Sequence, residues 1–156
     1  MKFVVLVVSS SREEWAETAS HSYNQKIKHF VPFEILQIQS PKLDRGDAQA
    51  KVEKEGERIL KALTPDDHLI LLDERGLQMD SKKWAKQTNT ILNRGKKRCC
   101  FLIGGAFGVS DSVRKRADET WSMSSMVFNH FVAQVVLLEQ IYRSFTILKN
   151  LPYHNE

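Results

Sequence analysis

The chain has 156 residues, of which 42% are hydrophobic and 27% are charged, a size and balance typical of one globular domain. Seven glycines and four prolines are too few for a collagen-like or low-complexity chain. The formal net charge of +4 is compatible with a nucleic-acid partner but does not by itself indicate one.

The two cysteines, Cys99 and Cys100, are adjacent, and the sequence has no C-x-x-C or Cys/His ligand spacing. It therefore predicts no disulfide scaffold and no metal site, and it favours the reducing cytoplasm. No uninterrupted apolar run approaches the roughly 18–20 residues of a membrane span. The apolar run after Lys2 is too short for a signal peptide, so we expect a cytoplasmic protein without a membrane segment.

Apolar runs without alternation predict strands that are buried on both faces. The predicted strands are Phe3–Val8, Phe33–Ile38, His68–Asp73, Arg98–Ile103 and Trp121–Phe128. Segments of helical periodicity stand between them, which is typical of an α/β fold with a mainly parallel sheet and helices on both faces. Neither a repeat nor a shift in composition divides the chain, and residues 1–156 are expected to form one domain.

Several short motifs predict where these elements begin and end. Ser11-Arg-Glu-Glu14 fits a capping box at the start of the first helix. Ser40–Gly46 predicts a polar loop, and Glu74-Arg-Gly76 predicts a turn after the third strand. Ser110 or Asp111 can cap a short fourth helix.

The last predicted helix, from about His130 to Lys149, is apolar nearly all the way round. Such a helix must be covered on more than one side, and a homodimer partner is the simplest cover in a small domain. We expect Leu138 and Ile141 to lie at that interface. The tail beyond the helix would then lie beside a site at the interface.

Three glycines stand in five residues after the fourth strand, in Gly104-Gly-Ala-Phe-Gly108. This pattern allows close approach to a ligand, but a tight strand-to-helix turn explains it equally well. It matches neither the P-loop nor the dinucleotide fingerprint, and Gly108–Ser112 lacks the last glycine of a nucleophile elbow. Because ligands collect at the carboxyl ends of parallel strands, we expect this loop, Leu72–Gly76 and Ser124–Asn129 to form one site.

A spaced set of motifs covers essentially the whole chain: Lys54-Glu-Gly-Glu57, Ile103-Gly-Gly-Ala-Phe-Gly108, Trp121-Ser-Met-Ser124, His130, Glu139-Gln-Ile-Tyr-Arg143 and Pro152-Tyr-His154. In this order the motifs resemble those of the RlmH family, SPOUT-class methyltransferases that act on a pseudouridine of large-subunit ribosomal RNA. The resemblance implies S-adenosylmethionine (SAM) as methyl donor, no metal, and a trefoil knot in the C-terminal half. It also implies a homodimer in which each active site is completed by the other subunit.

The resemblance also implies roles for individual residues. Cofactor contacts are expected at the positions that match Leu72, Gly105, Ser124, Ser125, Met126, Val127, Phe128 and Asn129. Arg143 is expected to contact RNA, and Tyr153 or His154 to handle the proton or orient the base, with the division between them open. The implied target is N3 of pseudouridine 1915 in helix 69 of 23S ribosomal RNA, in the assembled ribosome.

Two segments depart from the family pattern. Where the family usually reads Pro-His-x-x-x-Arg, this chain has Asn129-His130-Phe-Val-Ala-Gln134, and where a first loop usually carries Gly and Lys it has Ser9–Arg12. These departures favour, as an alternative, a non-catalytic RNA- or ribosome-binding protein that retains the fold. A nucleotide-binding enzyme that uses the glycine loop for phosphate is a weaker hypothesis, because the loop lacks a lysine.

Overall fold

The computed structural model describes residues 1–42 and 45–154, so positions 43–44 of the predicted loop Ser40–Gly46 and tail residues 155–156 lie outside the described residues. A 3-10 turn at Arg45–Asp47 precedes the second helix. The elements in chain order are β1 (Lys2–Ser9), α1 (Glu14–Lys28), β2 (Phe33–Gln39), α2 (Ala48–Ala62), β3 (His68–Gln78), α3 (Ser81–Leu92), β4 (Arg98–Ile103), α4 (Asp111–Arg116), β5 (Glu119–Ser122) and α5 (His130–Leu148).

The five strands form one sheet in the order β2-β1-β4-β3-β5, and every neighbouring pair is parallel. Helices α1, α3 and α5 cover one face of this sheet, while α2 and α4 cover the other. Side chains of β1 alternate between the two layers, and those of residues 3–8 are all buried. Burial on both faces explains why the strand sequences show no polar alternation. The predicted α/β class is confirmed.

Two predicted boundaries are wrong near the site. Glu74-Arg-Gly76 is not a turn but part of β3, which continues to Gln78 after a shift in register between Leu72 and Leu77. At this irregularity the backbone of β5 passes so close to Gly76 that a Cβ would lie 2.7 Å from the carbonyl carbon of Trp121. The glycine therefore permits close approach of two strands.

The predicted strand Trp121–Phe128 is also wrong, because β5 ends at Ser122. The Ser122 hydroxyl donates to the Ser124 carbonyl at 2.9 Å, and the Ser124 hydroxyl accepts from the Met126 amide at 3.0 Å. These local side-chain bonds compete with strand pairing and turn the chain towards α5.

The capping box predicted at Ser11 is absent. Helix α1 begins at Glu14, and its N-cap residue Glu13 makes no side-chain cap bond. Ser11 instead pairs with Ser9, whose hydroxyl donates to the Ser11 carbonyl and accepts from its amide. In contrast, Ser110 caps α4 as predicted, accepting from the Val113 amide.

Helix α5 lies between α1 and α3 and supplies part of the core. Leu138 and Ile141 are 0% and 1% exposed within the single chain, so the prediction that they lie at a dimer interface is wrong. Averaged over 18 residues, the hydropathy of α5 reaches 1.3, which a membrane-spanning helix of that length would also have. Its buried stripe nevertheless packs on this protein's own sheet.

Candidate active site

A cavity of about 840 Å³ opens beyond the ends of β4 and β5, beside the irregularity in the middle of β3. This volume is within the range of roughly 300–1,000 Å³ that small-molecule sites occupy, and the carboxyl edge of a parallel sheet is where such sites form. Seven of the eight predicted cofactor positions line it: Leu72, Gly105, Ser124, Met126, Val127, Phe128 and Asn129. Ser125 is exposed and does not line the cavity.

The glycine loop forms one wall of the cavity. Gly105 and Gly108 make an isolated bridge, and Gly108 has a φ of +83°, a conformation that favours glycine. Glu55 of α2 is only 2% exposed and accepts a hydrogen bond from the Ser40 hydroxyl. A Cβ at Gly105 would lie 2.4 Å from Glu55 Oε2, so the loop lies flush on a buried carboxylate.

The loop before α5 forms a second wall. Asn129 Oδ1 accepts from the Phe131 amide at 2.9 Å and so caps α5. Asn129, which stands where the family usually has proline, therefore has a structural role as the cap of this helix. Met126 and Val127 are 67% and 82% exposed, an unusual exposure for apolar side chains at the mouth of a cavity.

Asp73 stands in the wall with two arginines. Its carboxylate accepts from Arg75 Nε at 3.0 Å and from Arg114 Nη2 at 2.9 Å. The hydrogen bond from Arg75, with further help from Arg114, holds the pKa of Asp73 far below its ordinary value despite partial burial. Asp73 is therefore a permanent anion at neutral pH and cannot serve as a general acid.

His130 separates this cavity from a second, smaller one. Its Nε2 lies 3.0 Å from the Ser9 hydroxyl, and burial lowers the pKa of its imidazole below the ordinary value. The ring is therefore neutral at pH 7. The second cavity has a volume of about 200 Å³ at the carboxyl ends of β1 and β2. Both departures from the family pattern meet there, because Ser9, Arg12 and Gln134 line it.

The three predicted catalytic residues lie together at the opposite end of α5. Arg143 donates to Glu139 Oε1 at 2.7 Å, and its Nη1 lies 3.2 Å from His154 Nδ1. The Tyr153 hydroxyl donates to the same Glu139 oxygen at 3.3 Å, and its ring lies 4.9 Å from the guanidinium. Burial and a hydrogen bond with Tyr23 raise the pKa of Tyr153 to about 12. Sequence reasoning did not single out Glu139, although it stands inside one of the quoted motifs.

The catalytic cluster and the cavity are far apart within one chain. His130 lines the cavity, and Arg143 follows 13 residues later on the same uninterrupted helix. At 1.5 Å per residue this separation is about 20 Å. One chain therefore does not bring its own Arg143, Tyr153 and His154 to its own cavity.

Comparison with known proteins identifies the chain. The model of the SPOUT methyltransferase family, described as "Predicted SPOUT methyltransferase", matches residues 1–154. The chain belongs to this family. Its membership of the SPOUT fold class and its class as a methyltransferase are thereby confirmed, while the trefoil knot stays a prediction.

Several proteins with names are similar to this chain over its full length. A protein of Bdellovibrio bacteriovorus is 48% identical over 99% of both chains. Proteins of Bacteroides thetaiotaomicron and Geotalea daltonii are 41% and 40% identical, over 100% and 99% of this chain and all of their own. Each of the three is named ribosomal RNA large subunit methyltransferase H. The resemblance drawn from the motifs is confirmed.

SPOUT methyltransferases use SAM as their methyl donor, and the cavity suits such a molecule. It combines apolar side chains, such as Leu72 and Phe128, with the backbone of the glycine loop and the fixed hydroxyl of Ser124. Among the described residues no group of three or more His, Cys, Asp or Glu side chains could hold a metal ion.

Proposed function

We propose that this protein transfers a methyl group from SAM to N3 of pseudouridine 1915, in helix 69 of large-subunit ribosomal RNA in the assembled ribosome. The similarity over the full length to proteins named for large-subunit ribosomal RNA methylation carries this proposal. The cavity at the carboxyl edge of the sheet supplies a place for the methyl donor.

The glycine loop would hold SAM through backbone groups, because Gly105 has no side chain and so lets the loop backbone lie flush on Glu55 as the wall of the cavity. Leu72 and Phe128 would contact its apolar parts, and Ser124 its polar parts. When bound, SAM supplies a methyl group on a positively charged sulfur. The neutral imidazole of His130 adds no positive charge to the cavity wall. The carboxylates of Asp73 and Glu74 balance the guanidiniums of Arg75 and Arg114 there, so the wall carries no net charge against the sulfonium.

The active site is completed in a homodimer. The outward stripe of α5 carries Val132, Val136, Glu139 and Arg143 at helical spacing, and none of these is buried in the single chain. A two-fold axis across the middle of this stripe would pack two copies of α5 antiparallel. The Arg143 end of each copy would then lie beside the His130 end of the other, which closes the gap of about 20 Å.

In that arrangement the tail residues act as hydrogen-bond donors. Because an arginine can only donate, His154 Nδ1 accepts from Arg143, and the neutral imidazole then carries its proton on Nε2. Tyr153, with its pKa raised to about 12, also keeps its proton at neutral pH and would turn it from Glu139 to the bound base. The methyl group would pass from the sulfonium to N3, SAM would leave as the neutral thioether, and the N3 proton would go to solvent water. Donors aimed at the two carbonyls that flank N3 would stabilise the negative charge that develops as this proton leaves.

Mass spectrometry of helix 69 RNA from a deletion strain tests the assignment. We expect the methyl-pseudouridine signal to disappear and to return with the wild-type gene but not with an Arg143→Ala variant. An unchanged signal in the deletion strain would defeat the proposal. Isothermal titration with SAM addresses the non-catalytic alternative, since a protein that only binds ribosomes should release no heat.

A further inference from the structure

We propose that the second cavity, at the carboxyl ends of β1 and β2, is a nucleobase site for an RNA nucleotide next to the methylated one. The inference rests on the proposed function and extends it to RNA recognition. The cavity of about 200 Å³ is smaller than the roughly 300–1,000 Å³ of sites for larger ligands, so it suits a single ring system. The contact between Ser9 and His130 forms the wall between this cavity and the cofactor cavity.

The lining of this cavity has the two kinds of group that bind a base. Phe131 forms an aromatic wall, and the half-exposed Trp15 stands edge-on to it with ring centroids 6.5 Å apart. Gln37 and Gln134 bring amides, while Val7 lies at the floor. Unstacked RNA bases are recognised in this way, by stacking on aromatic side chains and hydrogen bonds to their edges.

The amides remain available for a ligand. Gln134 Nε2 donates to the Ser20 hydroxyl at 2.7 Å, which fixes the side chain with its oxygen as the acceptor. Gln37 Nε2 makes only a long contact of 3.4 Å with the Ser9 carbonyl. An acceptor and a donor in fixed positions can both pair with the edge of a base.

The local charges favour a base over a phosphate. Arg12 is the cation of the cavity, and it lies 3.6 Å from Glu17 in an exposed pair. Glu13 and Glu14 stand at the start of the same helix. A phosphate in the cavity would meet the carboxylate of Glu17 beside the guanidinium of Arg12, with two further carboxylates in the adjoining turn. A neutral base meets no net repulsion and can stack on or bond to the planar guanidinium.

Two exposed substitutions test the site without endangering the core. Gln37→Leu and Arg12→Ala are compared with Gln25→Leu and Lys28→Ala, which change exposed residues of α1 away from the cavity. The substrate is purified ribosomes from a strain that lacks the methyltransferase. We expect KM for ribosomes to rise about fivefold to a hundredfold in the test variants, the usual effect of losing one base contact. The kcat, the affinity for SAM and both control variants should stay at wild-type values.

Salt dependence separates a base contact from a phosphate contact. A base contact by Arg12 should leave the slope of log affinity against log salt nearly unchanged in Arg12→Ala, whereas loss of a phosphate contact would reduce that slope by about 1. A wild-type KM in both test variants would overturn the inference and leave the proposed function standing.

Photocrosslinking identifies the occupant directly. With p-benzoylphenylalanine in place of Trp15, the full-length protein on these ribosomes should crosslink to a nucleotide beside the methylated position. Crosslinks to a second copy of the protein alone would overturn the inference and make the cavity part of the dimer interface. If wild-type protein methylated no ribosomal RNA, the proposed function would fail, and the crosslink would still decide whether RNA enters the cavity.

Discussion

The carboxylate of Glu55 lies against the backbone of Gly105, where any larger residue would place its Cβ 2.4 Å from Oε2. Because Glu55 is buried and bonded to Ser40, it cannot swing aside, so the glycine loop would have to move. We expect Gly105→Ala to weaken SAM binding by about tenfold or more, or about 1.4 kcal/mol. Gly46→Ala, where a Cβ would meet open space, is the matched control. Calorimetric titration measures both, and equal affinities would contradict this account.

Two substitutions on α5 separate the dimer from the fold. Val136→Glu places a charge on the outward stripe, while Leu138→Glu places one in a core position that is 0% exposed. We expect Val136→Glu to weaken the dimer by about 3 kcal/mol, or more than a hundredfold, and to keep native circular dichroism. Leu138→Glu should not fold. Light scattering reports the mass, and a dimeric Val136→Glu protein would exclude the proposed interface.

Mixed dimers test whether each active site uses two subunits. Gly105→Ala damages the cavity and Arg143→Ala damages the tail, so at SAM concentrations below the wild-type Kd each pure variant should have little activity. A heterodimer of the two has one site with both lesions and one site with neither. Random exchange of subunits gives half heterodimers, and methylation should recover to about a quarter of the wild-type rate. No recovery after verified exchange would show that each chain completes its own site.

The binding of SAM should depend on the protonation of His130. Burial lowers the pKa of this imidazole, so the native state favours its neutral form, and SAM binding should be constant above the ordinary value of about 6.5. As the pH falls through the lowered pKa, an imidazolium forms in the wall of the cavity and repels the sulfonium. Asp73 does not titrate in this range. Affinity for SAM should therefore decrease in acid, more than affinity for the uncharged thioether product, and His130→Gln should remove the difference.

An ion pair beneath the opposite edge of the sheet stabilises the fold. Asp67 is 2% exposed and accepts from Arg98 Nε at 2.8 Å and from the Thr64 amide at 2.7 Å. Burial alone would raise the pKa of Asp67, but these hydrogen bonds outweigh it and leave the pKa below its ordinary value. The stabilisation is therefore complete above about pH 4–5 and is lost as the pH falls through the lowered pKa.

Replacing Arg98 by alanine would leave the buried carboxylate of Asp67 without its charged partner. We expect Arg98→Ala to lower the free energy of unfolding by about 3–5 kcal/mol at pH 7 and by less in acid. Lys97→Ala, at the exposed neighbouring position, should have little effect. Urea unfolding at both pH values makes the comparison. The same loss at pH 7 and at low pH would rule out the charge of Asp67 as the cause.

Much of the fold could be predicted because strands that are buried on both faces have continuous apolar sequences. Strands β1 and β4 are central and covered on both faces, and their apolar runs showed this directly. The role of Gly76 could not be read in the same way. In a sequence, a glycine can indicate either a turn or a close approach of two backbones. Only the register of β3 against β5 shows which of the two applies at this position.

The site was predictable only where it is contiguous in sequence. The loops that line the large cavity stood out because they follow strands. Helix α5 is apolar all round, so its sequence could not say that Leu138 faces its own sheet while Val136 faces outward. The second cavity joins Ser9 to Gln134 across most of the chain, and no local pattern reports such a contact.

The adjacent cysteines on β4 point into opposite layers of the core, Cys99 towards α1, α3 and α5 and Cys100 towards α2 and α4. Burial raises the pKa of both thiols, that of Cys100 to about 12, so neither forms a thiolate at neutral pH. The two native cysteines should therefore not react with maleimide reagents in the folded protein. A single cysteine introduced at the exposed position 25 of α1, outside the outward stripe of α5, could carry a spin label, and the distance between labels in the assembled protein could be measured without removing either native thiol.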